Sequence, residues 1–546
     1  MTTPSNKTLI AINALSNYVR FGLTIACTFL LTPVLVKCLG ATDYGMWTLL
    51  LCIVGYLELM DFGLTTGVMR FISAAGSQNL SRKNRLTNSL FVAACSLALI
   101  TILVGGLVAG AFGVCYAGQS WIALLVLLLT AKVAVGIPMG VFMGALFGEM
   151  QIWVINVIRG VSILLFSIGA YWLLSKGYGI MTLAILYTIV YSIESVTYLI
   201  AARSRLHWLH ISSSSFDGSV VREVVGFCLS SFTSNSANVV LARTDPLIVS
   251  ACLSLPLVAL YAVPMRITEQ LFQLSKQLIN VFSPWFAQLH SGAQLTHVRE
   301  AYLTCTKLAW GLMVAVVAPA MLFSRAGLSL WIGPEFADAG PILVILLAAS
   351  LLRVLQESAA SVLSMTGRHT LVARLAILSA GTNIVLSLLF VQIWGLYGVA
   401  LTTLICILVF GSGWSTWATC RHLRIPALQF VRNVILTSLI PVSVQVACLI
   451  WLNGLIAEKQ LAHLFIYSCV SGTVYIITYT AVSLRRNERR ILRRHLSRLQ
   501  VRFNAWLAAS PSKQLKLMGA TAPVPCQKLD ATVDHAELSK ATNWNR

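Results

Sequence analysis

The chain has 546 residues, of which 57% are hydrophobic and only 10% are charged, and its formal net charge is +21. This composition excludes an ordinary soluble protein, in which about a quarter of the residues are charged. The basic residues lie in short segments between apolar runs and in the stretch after Leu484, a distribution that indicates membrane topology rather than nucleic-acid binding. The 13 cysteines show no CxxC and no Cys/His spacing. We therefore expect no disulfide framework, no metal site and no cofactor.

Apolar runs predict an all-α integral membrane protein with about fourteen transmembrane helices. Each run is long enough to cross a bilayer, which takes about 20 residues. The first run follows a single basic residue, Lys7, and is too long for a cleavable signal peptide, so we interpret it as the first span. The predicted spans are 10–36, 44–66, 86–112, 120–147, 152–175, 178–201, 223–253, 258–285, 301–324, 338–366, 370–392, 394–418, 432–453 and 461–484.

The distribution of Lys and Arg among the predicted loops indicates the orientation. Basic pairs such as Arg82–Lys83 and Arg203 with Arg205 fall on one side, and the loops of the other side carry few cations. Cytoplasmic loops of membrane proteins are enriched in Lys and Arg. The pattern therefore predicts a multi-pass protein with both termini in the cytoplasm.

Two of the helices open with the same kind of polar stripe. Asn13, Asn17, Arg20 and Thr24 are spaced by four, three and four residues on the first span, and the seventh span carries Ser231, Asn235, Asn238 and Asp245. Related halves are typical of secondary transporters. The predicted division is a six-helix bundle at 1–201, a cytoplasmic linker at 202–222, a second six-helix bundle at 223–420, two peripheral helices at 421–484, a basic amphipathic helix at 485–507 and a disordered tail at 508–546.

The most polar stretch in an apolar environment runs from Cys228 to Gln270. Each charge at membrane depth costs at least ~2.5 kcal/mol, so these side chains should face protein or water. Counted from the turn near Ser254, Asp245, Arg266 and Glu269 lie at similar depth on the two flanking helices. One interpretation is a buried ion pair that joins two helices. In a related interpretation, Arg266 serves only to neutralise Glu269 one turn away on the same helix. The other is a polar cavity at the centre of a transporter.

Other features at membrane depth are weaker. Pro33 and Pro246 interrupt the first and seventh spans and predict kinks. Glycines recur every four residues from Gly136 to Gly148 and favour close approach of another helix. Further charges that could face a cavity are Asp61, Lys132, Arg159, Arg353 and Glu357.

The stretch after Leu484 has arginines interleaved with Leu492, Leu496, Leu499, Phe503 and Trp506 at helical spacing. This pattern favours an amphipathic helix on anionic lipid, with nucleic-acid binding as the alternative.

Several short motifs resemble the polysaccharide-transporter branch of the multidrug/oligosaccharidyl-lipid/polysaccharide (MOP) flippase superfamily, the Wzx-type O-antigen flippases. They are Leu39-Gly40 with Tyr44-Gly45, Asp61-Phe62-Gly63-Leu64, Asp245 followed by Tyr261, the run Trp331–Phe336 and the run Gly395–Ala400. Together they span residues 10 to about 420 in the family's order. The basic tail lies outside the shared pattern.

The resemblance implies two six-helix bundles that open alternately to the two sides of a bacterial inner membrane. It also implies flipping of an undecaprenyl-diphosphate-linked oligosaccharide, with membrane lipids and polysaccharide polymerase or export proteins as partners and no enzymatic activity. Cations suit an anionic cargo, and guanidinium groups bind phosphate well. The candidate substrate-binding residues are the cations and polar-stripe residues that could face the cavity: Asn17, Arg20, Lys132, Arg159, Asn235, Asn238, Arg243, Arg266 and Arg353. The carboxylates Asp61, Asp245, Glu269 and Glu357 would tune this positive field or bind H⁺ or Na⁺ for coupling.

Three alternatives compete with this function. A lipid-linked peptidoglycan-precursor flippase would also have fourteen spans and a cationic cavity. A cation-coupled small-molecule antiporter of the same superfamily would favour twelve spans and a cavity dominated by carboxylates. A polysaccharide polymerase or ligase would need a larger outer loop than the one predicted at 325–337.

Overall fold

The computed structural model describes residues 6–76, 79–115, 120–212, 216–291, 295–454 and 460–484, and in these ranges it contains helices and no β-strand. The α-helices are α1 Asn6–Leu57, α2 Leu64–Ala74, α3 Leu80–Cys115, α4 Ser120–Gly148, α5 Ile152–Ser175, α6 Ile180–Arg205, α7 Gly218–Cys252, α8 Leu255–Ser291, α9 Leu295–Leu322, α10 Ser324–Trp331, α11 Gly340–Met365, α12 His369–Trp394, α13 Leu396–Cys406, α14 Thr416–His422, α15 Ala427–Phe430, α16 Leu439–Gly454 and α17 Leu461–Thr478. π-Helical segments at Ile407–Ser415, Val431–Ile435 and Tyr479–Ser483 continue α13, α15 and α17.

The described helices account for the fourteen predicted spans. Twelve helical segments in these ranges are long and apolar enough to cross a membrane. The first of them, Ile12–Asp61, reverses direction inside its length and therefore supplies two spans. The remaining span is α8, which has 37 residues but is less apolar because it carries Arg266, Glu269 and Lys276. The all-α membrane fold is thus confirmed.

The first reversal of the chain occurs at Gly40. Its backbone has φ 76° and ψ 170°, a conformation that favours glycine because it has no Cβ. Before the turn, Asn17 lies beside Gln277 in the second half of α8; after it, Gly45 packs against Leu255 at the start of α8. This break lies in the turn predicted between the spans at 10–36 and 44–66, and Pro33 lies inside the helix before it.

The helix of the second span ends in a 3₁₀ turn at Glu58–Asp61, followed by the left-handed residues Phe62 (φ 45°) and Gly63 (φ 77°). The apolar segment ends at Asp61, close to the predicted limit at residue 66, so Glu58 and Asp61 lie near one end of this span, as predicted. A separate helix, α2, follows to Ala74.

The glycines of α4 let α2 approach closely, as predicted. A Cβ added at Gly140 would lie 2.7 Å from Thr65 Oγ1, and one at Gly144 would lie 2.6 Å from the Thr65 carbonyl oxygen. One at Gly148 would lie 2.7 Å from a methyl carbon of Ile72. These contacts leave no room for side chains, so this part of the ridge serves helix packing.

The connection between α6 and α7 is shorter than the predicted 202–222, because α6 continues to Arg205 and α7 begins at Gly218. Side chains of α3 hold it: Asn84 Oδ1 accepts from the backbone N–H of His210 at 2.8 Å, and Ser89 Oγ accepts from that of Asp217 at 2.9 Å. Hydrogen bonds from Ser219 lower the pKa of the Asp217 carboxyl, which caps α7. We call this end of the bundle the linker end, and the end that contains α10 the loop end.

The last two spans lie beside α9. Gln445 on α16 donates to the Ala315 carbonyl oxygen at 2.8 Å, and Tyr479 donates to that of Lys307 at 2.8 Å. The outer faces of the bundle expose large apolar side chains such as Leu107, Ile168 and Phe465. Such faces suit contact with lipid. The amphipathic helix predicted at 485–507 and the tail at 508–546 lie outside the described residues.

Candidate functional site

A cavity of about 840 Å³ lies where α1, α5 and α6 meet α7, α8, α11, α12 and α13. Asp245, Arg266 and Glu269 all line it, so the depth counted along α7 and α8 brings these side chains to one space. The other predicted site residues in its wall are Asn238, Arg243, Arg353 and Glu357. Among the described lining residues the cations are Arg243, Arg266, Lys276 and Arg353, and the anions are Asp245, Glu269 and Glu357.

Asp245 is buried and held from one side. Its Oδ2 accepts hydrogen bonds from Tyr261 at 2.7 Å and from Thr403 at 2.9 Å. Its Oδ1 is buried and has no hydrogen-bond partner in the described structure, and the same is true of Oδ1 of Asn383. Asn383 donates its amide N–H to the Thr403 hydroxyl at 3.5 Å, so α7, α12 and α13 meet at this hydroxyl, and Asp245 and Asn383 each keep one unsatisfied oxygen. Unsatisfied buried oxygens are costly, and a proton or a hard cation would satisfy them.

Glu269 pairs with Arg353 and not with Arg266. The Arg353 guanidinium donates to Glu269 Oε2 at 2.8 Å, lies 4.3 Å above the Phe272 ring, and joins α11 to α8. Gln273 donates to the other carboxylate oxygen at 2.7 Å. The interpretation in which Arg266 neutralises Glu269 one turn away is therefore wrong.

Lys276 and Glu357 form a second ion pair in the wall, at 3.0 Å, which again joins α8 to α11. Two of the four cavity cations are thus neutralised by partners on a neighbouring helix. Since both pairs run between α8 and α11, they also hold these helices together.

Arg243 and Arg266 remain as cations without a carboxylate. No Asp or Glu oxygen of the described chain lies within 4.0 Å of either guanidinium. A Cβ added at Gly55 would lie 3.2 Å from Arg243 Nε, so the absence of a side chain there makes room for the guanidinium. The cavity thus presents two unneutralised guanidinium groups, which can donate to an anion.

Of the polar stripe on the first span, Thr24 lines the cavity, whereas Asn17 and Arg20 belong to a separate network near the linker end. Arg20 donates to Asn156 Oδ1 at 3.0 Å and to Asn17 Oδ1 at 3.1 Å, and Asn17 donates to Gln277 of α8 at 3.4 Å. None of these four residues lines the cavity. Arg20 and Asn17 therefore connect α1, α5 and α8 rather than face the central space.

The remaining predicted residues also lie outside the cavity wall. Lys132 pairs with Glu58 at 2.6 Å, and Arg159 donates to Tyr198 at 3.3 Å. Asp61 accepts from the backbone N–H of Gly63 at 2.7 Å and so supports the break before α2. Asn235 lies on an exposed face of α7.

The cavity is covered towards the linker end by contacts between α2 and α7. Phe62 packs on Phe232 with ring centroids 4.8 Å apart, and a Cβ added at Gly67 would lie 2.6 Å from the sulfur of Cys228. At the surface, Arg82 of α3 pairs with Glu223 of α7 at 2.6 Å.

Towards the loop end, Trp331 stacks on Phe29 with centroids 4.8 Å apart and donates its indole N–H to the Phe29 carbonyl oxygen at 3.1 Å. Gly45 contacts the Leu255 backbone nearby. Contacts between the first and second halves of the chain are therefore made at both ends of the cavity.

The sequence analysis missed three residues of the site. Lys276 lies seven residues after Glu269, two turns along the same face of α8, and that spacing could have indicated it. Asn383 and Thr403 lie in apolar helices without other charge, and they meet Asp245 only in the folded bundle.

Comparison with known proteins shows the family of this chain. Residues 34–341, more than half of the chain, match the model of a family described as polysaccharide biosynthesis protein. The chain belongs to this family. A search of curated proteins finds no match.

The fold of this family member is found in solved transporters. The lipid II flippase MurJ in an inward closed conformation superposes with a TM-score of 0.66 at 11% identity, covering 86% of this chain and 98% of that one. An inward-facing multidrug resistance MATE transporter of the MOP superfamily superposes with a TM-score of 0.58 at 18% identity, covering 75% and 99%. A MATE transporter from Vibrio cholerae gives 0.58 at 16% identity, covering 78% and 98%. The fold expected from the resemblance of the sequence motifs is thus confirmed.

Proposed function

We propose that this protein is a flippase that moves an undecaprenyl-diphosphate-linked oligosaccharide across a bacterial inner membrane for polysaccharide export. The observation that carries the proposal is the pair of guanidinium groups, Arg243 and Arg266, that face the central cavity without a carboxylate partner. A diphosphate offers several anionic oxygens that guanidinium forks bind in pairs. The polysaccharide family of the chain supports a sugar-bearing cargo.

The two ion pairs have a separate role in this proposal. Glu269 with Arg353 and Glu357 with Lys276 neutralise half of the cavity cations. A cavity with four unneutralised cations would bind a diphosphate too tightly to release it. The pairs therefore limit the field and hold α8 on α11.

Asp245 is the proposed coupling group. One oxygen is fixed by two hydroxyl donors while the other, with Asn383 Oδ1, lacks a donor. H⁺ or Na⁺ bound at the unsatisfied carboxylate oxygen would satisfy it and change the charge of a wall that the cargo contacts. Ion sites of secondary transporters near the bilayer midplane have this kind of oxygen chemistry.

Transport is proposed to proceed by alternating access between a first bundle at 1–201 and a second at 223–420, with both chain termini in the cytoplasm. The contacts between Phe62 and Phe232 and between Trp331 and Phe29 would open in turn. Each contact is small and lies between the halves, as a reversible gate requires.

A lipid-linked peptidoglycan precursor is the second candidate cargo. The solved structure with a TM-score of 0.66 is a lipid II flippase, and a polyprenyl diphosphate would contact the same guanidinium groups. The two cargoes differ in their sugars, so cells defective in one or the other flippase distinguish them.

The test uses cells that synthesise a lipid-linked glycan but lack their own flippase for it, with surface glycan as the readout and membrane abundance as the control. Arg266→Gln should insert normally and lower export at least about tenfold, since one charge-assisted hydrogen bond is worth about 1.5–3 kcal/mol. Export by this variant equal to that of the unaltered protein would refute the binding role of Arg266.

The Glu269–Arg353 pair supplies the matched control. Arg353→Gln leaves Glu269 without its partner in the cavity wall, and Glu269→Gln in the same chain should recover much of the abundance lost. Glu269→Gln should not restore export to Arg266→Gln, because these two side chains are not paired. Restoration there would mean that Arg266 acts through Glu269 and not through cargo.

A further inference from the structure

A second concave site lies on the outside of the bundle at the linker end. It is a groove of about 470 Å³ between the turn after α11 and the stretch from the π-helical segment into α14. Arg368 and Arg421 lie at its rim, and Trp414, Trp417 and Leu371 form its apolar wall. It shares no lining residue with the central cavity.

Both arginines line the groove, and neither forms an ion pair with a carboxylate of the described chain. The Arg368 backbone N–H donates to the Leu363 carbonyl oxygen at 2.7 Å, in a turn that Gly367 closes with φ 81°. The Arg421 guanidinium lies 5.4 Å from the centroid of the Trp417 ring. No carboxylate of the described chain lies within 4.0 Å of Arg368 or Arg421.

The apolar wall remains open to the surroundings. Trp414 is 45% exposed and Trp417 is 54% exposed. Both lie near the end of the apolar helical segment Leu396–His422. Tryptophan is enriched where the headgroups of a bilayer meet its hydrocarbon. Arg421 lies one turn beyond Trp417, towards the end of the helix.

Along this helix the indole rings of Trp414 and Trp417 therefore come first, and the Arg421 guanidinium follows. A phospholipid has the same order along its length, with acyl chains below and a phosphate above. A soluble anion would use the arginines but would leave both indole rings exposed. Basic pockets between helices at the membrane surface suit anionic lipid headgroups.

We propose that this groove binds an anionic phospholipid, with its phosphodiester between Arg368 and Arg421 and an acyl chain along Trp414 and Trp417. The site is independent of the cargo cavity and of the function proposed for it. Bound lipid would hold the turn between α11 and α12 against α14 and stabilise the linker end of these helices.

The experiment measures lipid binding to the purified full-length chain by native mass spectrometry, with phosphatidylglycerol and phosphatidylcholine as probes. We compare R368Q/R421Q with R374Q/R424Q, which removes the same charge from two exposed arginines that do not line the groove. The unaltered chain should bind phosphatidylglycerol about tenfold more tightly than phosphatidylcholine, because the quaternary ammonium of phosphatidylcholine would lie beside two guanidinium groups that repel it.

R368Q/R421Q should lose about tenfold or more of its affinity for phosphatidylglycerol, and R374Q/R424Q should stay within about twofold of the unaltered chain. Equal losses in the two double variants would overturn the proposal, because they would show a general surface-charge effect. Equal affinity for the two lipids would also overturn it. Displacement of the lipid by an equal concentration of glycerol phosphate would identify a soluble-anion site instead.

Thermal unfolding in detergent without added lipid provides the control for folding. All four substituted arginines are exposed, so both double variants should unfold within a few degrees of the unaltered chain. Added phosphatidylglycerol should then raise the unfolding temperature of the unaltered chain and of R374Q/R424Q, but not that of R368Q/R421Q. A rise in R368Q/R421Q equal to that of the unaltered chain would overturn the proposal.

Discussion

Replacing Gly67 by cysteine should allow the linker end to be locked shut. A Cβ at this position would lie 2.6 Å from the sulfur of Cys228 on α7 and 3.0 Å from a methyl carbon of Val224. In a disulfide the Cβ of one cysteine lies about 3 Å from the sulfur of the other, so a shift of a few tenths of an ångström suffices. We therefore expect mild oxidation to join Gly67→Cys to the native Cys228.

The effect of Gly67→Cys on the free energy of the closed linker end differs between the oxidised and the reduced state. The bond would close a loop of about 160 residues, for which the chain-entropy relation gives roughly 5 kcal/mol as an upper value. In the reduced state the new side chain overpacks the contact, which costs about 1–3 kcal/mol and weakens closure of the linker end. Oxidation should then stop export almost completely, whereas reduction should restore the export measured before oxidation.

The assay follows surface glycan made after a brief treatment of cells with copper phenanthroline, and then after dithiothreitol. The double variant Gly67→Cys, Cys228→Ser has the same added bulk but not the second thiol, and it should be insensitive to oxidation. Formation of the cross-link is measured separately, by the gel mobility of fragments after cleavage between α2 and α7. Normal export by fully cross-linked protein would refute the idea that α2 and α7 separate at the linker end during transport.

Three further predictions follow from the fold and the cavity. Asp245→Asn should abolish export but change the free energy of unfolding by no more than about 2 kcal/mol, because the amide oxygen can still accept both hydroxyl hydrogen bonds; a larger loss in thermal unfolding would assign Asp245 a structural role. Gly144→Val should lower the amount of folded protein in membranes by overpacking α2 on α4, whereas Gly136→Ala, whose Cβ would lie 3.7 Å from its nearest neighbour, should be tolerated. Reporter fusions after Arg205 should report cytoplasm and fusions near Ala337 should report periplasm, and the reverse result would overturn the predicted orientation.

Depth along a helix was the part of the site that could be predicted. Counting residues from the turn between α7 and α8 placed Asp245, Arg266 and Glu269 at one level, and all three line one cavity. Depth alone does not say which way a side chain points around its helix. Glu269 therefore pairs with Arg353 on α11 and not with the nearer Arg266.

The orientation of each helix about its own axis also directed two predicted cavity cations, Arg20 and Lys132, away from the cavity. Arg20 on α1 reaches Asn156 on α5, and Lys132 on α4 reaches Glu58 near the end of the second span. Both cations have partners within the first half of the chain and do not line the cavity. A stripe of polar residues indicates a face that avoids lipid, but a neighbouring helix satisfies this requirement as well as a cavity does.

The sequence by itself determined the membrane character of the chain, the number of spans and the approximate position of each span. This is because the bilayer sets a fixed apolar length for every crossing and makes unpaired charge costly. Tertiary structure decided which polar groups meet. Thr403 donates to Asp245 across 158 residues of chain, and Arg353 reaches Glu269 from a neighbouring helix. Such contacts depend on how helices turn and pack against one another, and the apolar pattern of a single helix carries no record of its neighbours.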